Sequence, residues 1–266
     1  MFSVKAKKNF GQHFLKDENI ANRVAETLND FPTLPVMEVG AGTGMLTKFL
    51  MKRGVDLKVV EIDIESIEYL KEHFPELNGK IIQKDFLKLK LDDYFNTEFC
   101  IIGNYPYNIS SQIFFKVLDN KELIPFCSGM IQKEVAERMA APPGSKTYGI
   151  LSVLMQVWYD IEYLFTVNEQ AFIPPPKVKS AVIKLTRNNR EKLNCNDKLF
   201  KTIVKTSFNQ RRKMLRNSIK SLLYEDIPMP DDPLLTKRPE QLSIEQFEKL
   251  TNLLEPWIRQ TNKEES

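Results

Sequence analysis

The chain has 266 residues, 42% of them hydrophobic and 27% charged, with a formal net charge of +3. These are the proportions of an ordinary globular protein, long enough for one large domain and a small one. No run of about 18 apolar residues occurs, which excludes a membrane-spanning helix. The cysteines, Cys100, Cys127 and Cys195, are odd in number and lack metal-ligand spacing. Free thiols in a reducing cytoplasm, and no metal site, are the expectation. The opening MFSVKAKKNFGQHFL is basic but has neither an apolar core nor a small-residue cleavage site, so a cytoplasmic protein is expected. Being terminal and lysine-rich, KNFGQHFL (8–15) is also expected to be mobile.

In chain order, the apolar runs VMEVG (36–40), LKVVEID (57–63), KIIQKD (80–85) and FCIIGN (99–104) each end in a small or polar residue. The first two lead directly into helical patterns. Continuous apolar strands alternating with helices predict a parallel sheet covered on both faces. PFCSGMIQ (125–132) adds a strand, KEVAERMA a helix, and ILSVLMQVW a buried helix. YDIEYLFTV and VKSAVIKLTR read as an antiparallel pair at the sheet edge, with FIPPPKV between them as a rigid loop whose prolines cannot join a ladder. The polar stretch 187–197 breaks the pattern, and beyond it only helical periodicity remains, in KLFKTIVKTSF, RRKMLRNSIKSLLY and SIEQFEKLTNLLEPWIRQ. The expected architecture is α/β: a doubly wound, Rossmann-like sheet over residues 1–188, then a small all-helical domain over 189–266.

Ligands of open α/β sheets sit beyond the carboxyl ends of the strands, and the unusual residues of this chain fall there. In EVGAGTGML, Gly40, Gly42 and Gly44 let the backbone pass close to a ligand. The spacing is G-x-G-x-G, unlike the G-x-G-x-x-G of pyrophosphate binding, which argues against a nicotinamide or flavin cofactor. A tight structural turn would use the same glycines. Glu61 ends the second strand, where a carboxylate can accept from both hydroxyls of a ribose. Asp85 ends the third and is placed to accept from the amine of an adenine, or simply to cap a turn. Three such positions on successive strand ends point to a nucleoside-containing cofactor.

IIGNYPYN (101–108) ends the fourth strand and faces the same cleft. The Asn104 oxygen and a carbonyl before or at Pro106 can both accept from one amino group, while the Tyr107 ring stacks on the base that carries it. Adenine's amine is a poor nucleophile because its lone pair is delocalised into the ring. Two fixed acceptors favour a more tetrahedral nitrogen as charge develops on attack. An Asn-Pro turn with locally packed tyrosines is the plainer alternative.

Charge is unevenly spread. From Lys198 to Tyr224 there are eight basic residues and no acidic one, and they include Lys205, Arg211, Arg212, Lys213 and Arg216. Such a run usually makes a solvated helical face, but the complete lack of acids favours phosphate contact.

With these pieces assembled, the chain resembles the ribosomal RNA adenine N6-dimethyltransferase family, and within it the bacterial small-subunit (16S) branch. The resemblance covers nearly the whole chain, through KNFGQHFL, EVGAGTGMLT, GNYPYNISS, QKEVAERMAAPPGSKTYGILSV, AFIPPPKVKSAVIKL, FNQRRKMLRNSI and RPEQLSIEQFEKL. It implies S-adenosylmethionine as methyl donor, contacted by His13, Leu15, Gly40, Gly42, Glu61, Asp85 and Asn104. Asn104, Pro106 and Tyr107 would hold the target adenine, with Phe172 as a second stacking face. The implied reaction is in-line attack of the amine on the sulfonium methyl, repeated to give N6,N6-dimethyladenosine at two adjacent adenosines. The implied partner is small-subunit ribosomal RNA in an immature small subunit, met by a monomer. Two positions depart from the pattern. His13 stands where the family often has Asn, and could bind the cofactor or cap the first helix. Tyr105 stands where it often has Leu, and its added hydroxyl needs a partner or water. Alternatives are a large-subunit ribosomal RNA adenine methyltransferase, a non-enzymatic ribosome-assembly factor and, more remotely, a DNA adenine methyltransferase.

Overall fold

The computed structural model describes residues 4–224 and 229–258. In chain order its strands are β1 (Phe14–Leu15), β2 (Val36–Val39), β3 (Leu57–Glu61), β4 (Ile81–Gln83), β5 (Cys100–Asn104), β6 (Phe126–Gln132), β7 (Tyr159–Val167), β8 (Phe172–Ile173) and β9 (Ser180–Arg187). The helices are α1 (Glu18–Glu26), α2 (Thr47–Met51), α3 (Ile64–His73), α4 (Ser110–Asp119), α5 (Lys133–Ala140), α6 (Ile150–Gln156), α7 (Asp197–Asn209), α8 (Leu215–Ser218) and α9 (Ile244–Leu254).

Seven strands form one sheet in the order β4-β3-β2-β5-β6-β9-β7. It is parallel as far as β6, and the last two strands are antiparallel, as the closing pair of apolar runs predicts. β2 is buried at every position and β5 at all but its last, Asn104. That burial is why these runs are continuously apolar instead of alternating. The chain goes from β2 outward to β3 and β4, then returns to add β5 on the other side of β2. Such a reversal of strand order opens a crevice at the carboxyl ends.

The chain divides into two compact units. The first holds residues up to Glu137 together with Trp158–Asn188, and so contains the whole sheet. The second holds Arg138–Val157 and Asn189–Ser266. A single boundary after residue 188 was expected, and α6 is what that expectation misplaces. Its side chains Leu151, Val153, Leu154 and Met155 are buried, and it packs on α7. The apolar run was legible, but its partner, α7, lies about forty residues further along the chain.

A second expectation fails at 211–224, where one helix was predicted. α7 ends at Asn209, Gln210 leaves helical geometry, and Met214 is extended (φ −62°, ψ 151°). Only α8 and a 3-10 turn at Lys220–Leu222 follow. Buried Leu215, Ile219 and Leu223 have helical spacing, but successive tight turns place them. Arg259 and Gln260, at the end of the last predicted helix, lie outside the described residues.

The amino-terminal segment, expected to be mobile, is held at several points. β1 pairs antiparallel with β8, with Phe14 opposite Ile173 and Leu15 opposite Phe172. Lys7 Nζ lies 2.5 Å from Asp63 Oδ1, and Gln12 Nε2 donates to Asp63 Oδ2 (3.2 Å). Burial alone would raise the Asp63 carboxyl, but hydrogen bonds from Lys7, Gln12 and Ser66 outweigh it and hold the group below its ordinary value.

Strand alternation corrects the role expected of Phe172. Its side chain points inward, 1% exposed, into the core that contains Leu15 and Val182, while Ile173 points outward at 57%. In this structure the ring packs in the core and does not line the crevice at the strand ends. Phe172→Ala is therefore expected to cost about 3–5 kcal/mol of stability through the cavity it leaves. Denaturant unfolding would read this as a lower midpoint.

Candidate active site

At the crevice between β2 and β5, the strand ends and the amino-terminal segment enclose a cavity of about 260 Å³. His13, Leu15, Gly40, Gly42, Glu61, Asp85, Asn104, Pro106 and Tyr107 all line it. Sequence positions far apart are thus brought to one wall by the parallel register of β2, β3, β4 and β5.

Gly40 and Gly42 have φ of 75° and 54°, a region that side chains rarely adopt. A Cβ on Gly42 would also lie 2.7 Å from the Phe14 ring. The turn is held open from beneath by Glu61. Its Oε2 accepts from Gly42 N (2.9 Å), and its Oε1 accepts from Ile62 N (2.8 Å) and Asp63 N (2.9 Å). Burial raises the Glu61 carboxyl above its ordinary value, and these backbone donors partly offset that. The residue singled out for ribose binding is therefore also the keystone between the glycine turn and β3. Asp85 is likewise double. Oδ1 caps the short turn at Leu87 N (3.0 Å), and the residue still lines the cavity.

Asn104 is oriented by an unexpected neighbour. Its Nδ2 donates to the backbone carbonyl of His13 (2.9 Å), which leaves Oδ1 as the free, accepting end. His13 does not cap the first helix. Asp17 does that by accepting from Ile20 N, while His13 Nδ1 donates to the Pro174 carbonyl (2.8 Å). The imidazole also stacks on Tyr107, with ring centroids 5.4 Å apart. The Tyr107 hydroxyl is hydrogen-bonded to Ser180 Oγ. Tyr105 finds the partner that its hydroxyl requires, donating to the Ser128 carbonyl (2.7 Å). Its ring fits over Gly103 and Gly129, where a Cβ on either would come within 3.0 Å of it.

Two residues of the site escaped sequence reasoning. Lys116, on α4, donates to the carbonyls of Leu87 (3.1 Å) and Leu89 (2.5 Å) and so braces the turn that carries Asp85. No local pattern announces it. Glu38 could have been found, because an acid inside the apolar run VMEVG is anomalous. It lines the cavity at 1% exposure and accepts from Thr47 Oγ1 (2.7 Å). Burial pushes its carboxyl up to about 8; the Thr47 bond opposes this and the Glu61 charge adds to it. A carboxyl raised on folding stabilises the fold fully below its unfolded value, and that contribution is lost as pH rises through about 8. Glu38→Gln is therefore expected to flatten the fall in stability between about pH 4.5 and 8 and to raise the melting temperature at pH 8. Melting curves across that range check it.

In the second unit, Lys205, Arg212, Lys213 and Arg216 are exposed. Arg211 is half-buried instead, with Nη2 donating to Ser145 O (3.4 Å) and Nε 3.9 Å from Glu240. Among the described residues no cluster could hold a metal ion.

An open α/β sheet with a glycine turn, two strand-end acids and an oriented Asn-x-Pro-Tyr motif at one crevice defines a Rossmann-like enzyme for a nucleoside-containing cofactor. A family model described as ribosomal RNA adenine dimethylase matches residues 3–255. A ribosomal RNA small subunit methyltransferase A of Parabacteroides distasonis is 67% identical over 93% of this chain and 93% of its own. A protein of the same name from Bacteroides fragilis is 63% identical over 96% and 94%. Among solved structures, a dimethyladenosine transferase from Plasmodium falciparum superposes with a TM-score of 0.76 at 25% identity, covering 92% of this chain and 98% of that one. The 23S rRNA methyltransferase ErmE shares the fold, with a TM-score of 0.65 at 24% identity over 90% and 99%. The chain belongs to the ribosomal RNA adenine dimethylase family. It is an S-adenosylmethionine-dependent methyltransferase. The residues present fit that donor. The side-chain-free arc at Gly40 and Gly42 admits a ligand against the backbone, and Glu61 and Asp85 retain acceptor capacity for hydroxyls and an amine.

Proposed function

We propose that this protein dimethylates the N6 amines of two adjacent adenosines in small-subunit ribosomal RNA. It would do so as a cytoplasmic monomer acting on an immature small subunit. The orientation of Asn104, with its amide nitrogen engaged by His13 O and its oxygen left as acceptor, carries the reading.

The bound donor supplies an electrophilic methyl group on a sulfonium. The chain's own residues prepare the amine. The second acceptor beside Asn104 Oδ1 would be the Tyr105 carbonyl or that of Pro106, whose oxygen accepts from Ile109 N (3.2 Å) and keeps a second lone pair. Two acceptors on one NH₂ favour a tetrahedral nitrogen, and being fixed beforehand they need no reorganisation during attack. Tyr107, held by His13 on its ring and by Ser180 on its hydroxyl, is the platform for the base. The methylated nitrogen is acidic enough to lose its proton to solvent, so no general base is required. Glu61 and Asp85 would hold the ribose and adenine of the donor. Exposed Arg212, Lys213 and Arg216 would meet RNA phosphates, which predicts affinity that falls steeply with salt. Arg211 would act by shaping that surface from within.

Labelled donor incubated with under-methylated small subunits, large subunits and naked RNA tests the reading. Dimethyladenosine in the small-subunit sample alone is the expected result. Product on large subunits would overturn the substrate, and tight particle binding without transfer would make the protein an assembly factor.

A further inference from the structure

Ile173, the last residue of β8, and the loop Pro174 to Lys179 that leads to β9 present a surface that the site described above does not use. Ile173 is 57% exposed and Val178 45%, both large apolar side chains left in water. Isolated exposed apolar residues need no explanation, but these two flank three consecutive prolines, Pro174 to Pro176, and stand beside exposed Lys177 and Lys179. No acidic residue occurs between Glu169 and Glu191. The loop is also preshaped. Ile173 is paired to Phe14 in the β1–β8 ladder, Pro176 is buried, and Lys179 O accepts from Lys133 N (2.9 Å). Ordering a loop already fixed in this way costs little on binding.

The loop's first proline and the β9 residue that follows its last both touch the platform for the target base. Pro174 O holds His13, which stacks on Tyr107, and Ser180 holds the Tyr107 hydroxyl. A nucleic acid that places a base on Tyr107 must run its adjoining nucleotides past this loop. Apolar side chains interleaved with lysines suit single-stranded RNA, because every base has an apolar face and every linkage a negative charge.

Resting on the reading that an RNA adenosine enters this site, we propose that Ile173 and the loop Pro174 to Lys179 form a docking surface for the nucleotide next to the target. Ile173 and Val178 pack on its base, and Lys177 and Lys179 meet the flanking phosphates. Where two adjacent adenosines are modified in turn, the loop holds one while the other occupies the site.

The full chain tests this in two double variants, Ile173→Ser with Val178→Ser, and Lys177→Gln with Lys179→Gln. Their affinity for under-methylated small subunits is measured across a salt series, beside donor affinity and melting temperature. About tenfold weaker subunit binding is expected in each, with donor affinity and melting unchanged. The lysine variant should also lower the salt slope by about one to two, the effect of losing two phosphate contacts to a single strand. Wild-type affinity and slope in both variants would overturn the proposal. Because the readout is binding, the comparison still decides when the wild-type protein transfers no methyl, a result that would count against the function reading alone.

Discussion

Asn104→Ala is expected to lower kcat for methyl transfer by about 10²- to 10³-fold, the usual loss when one preorganised polar group leaves a site of developing charge. The amine would lose one of its two acceptors, and the remaining carbonyl cannot by itself fix the nitrogen's geometry. Asn104→Asp is the sharper version. It keeps an acceptor of nearly the same size but cannot donate to His13 O, so a carboxylate would face a carbonyl at hydrogen-bond distance. Single-turnover rates with saturating donor would read both variants. If Asp restored most of the rate that Ala lost, the His13 contact would be incidental and only the acceptor would matter. If Ala retained wild-type turnover, Asn104 would have no part in activating the amine.

Glu61→Gln should injure the fold and the cofactor site together. The native carboxylate satisfies three backbone donors, two on Oε1 and one on Oε2. A glutamine has one oxygen. Whichever way the amide turns, its NH₂ faces at least one buried N–H, and leaving a buried donor unsatisfied costs about 1–3 kcal/mol. We expect a stability loss of about 2 kcal/mol and donor binding at least tenfold weaker, since the glycine turn would lose its lower support. Denaturant unfolding and calorimetric titration would show the two effects. Unchanged stability with weakened binding would instead confine Glu61 to the ligand.

The strand ends were readable because burial on both faces forces β2, β3 and β5 to be apolar, so Glu61 and Asn104 stand out where the runs stop. For Tyr105 the sequence showed only an added hydroxyl in need of a partner or water; that it is buried and donates to the Ser128 carbonyl is visible only in the structure. What escaped has a different physical character. β1 and β8 are two residues each, too short for any periodicity, and their pairing joins positions more than 150 residues apart in the chain. Without that pairing the inward turn of Phe172 could not be seen, and a family role was assigned to a core residue. The predicted helix at 211–224 failed for the opposite reason. The apolar spacing there was real, but a run of turns can meet a helical spacing over so short a stretch. Arg211 was counted with its neighbours because charge is visible in sequence, while its contacts to Ser145 and Glu240 are not.

The pairing of β1 with β8 also bears on how the enzyme comes into being. Every residue lining the cavity is present once Ile109 has been synthesised, yet the strand that walls one side has no ladder partner until Phe172 and Ile173 are available. Closing a loop of that length must precede the reward of four paired residues, so this is a late, non-local contact. A nascent chain would therefore carry the donor-binding residues for much of its synthesis without the strand pairing that holds β1 in place. Competence to bind the donor would arrive only once β8 has been made, shortly before β9 completes the sheet.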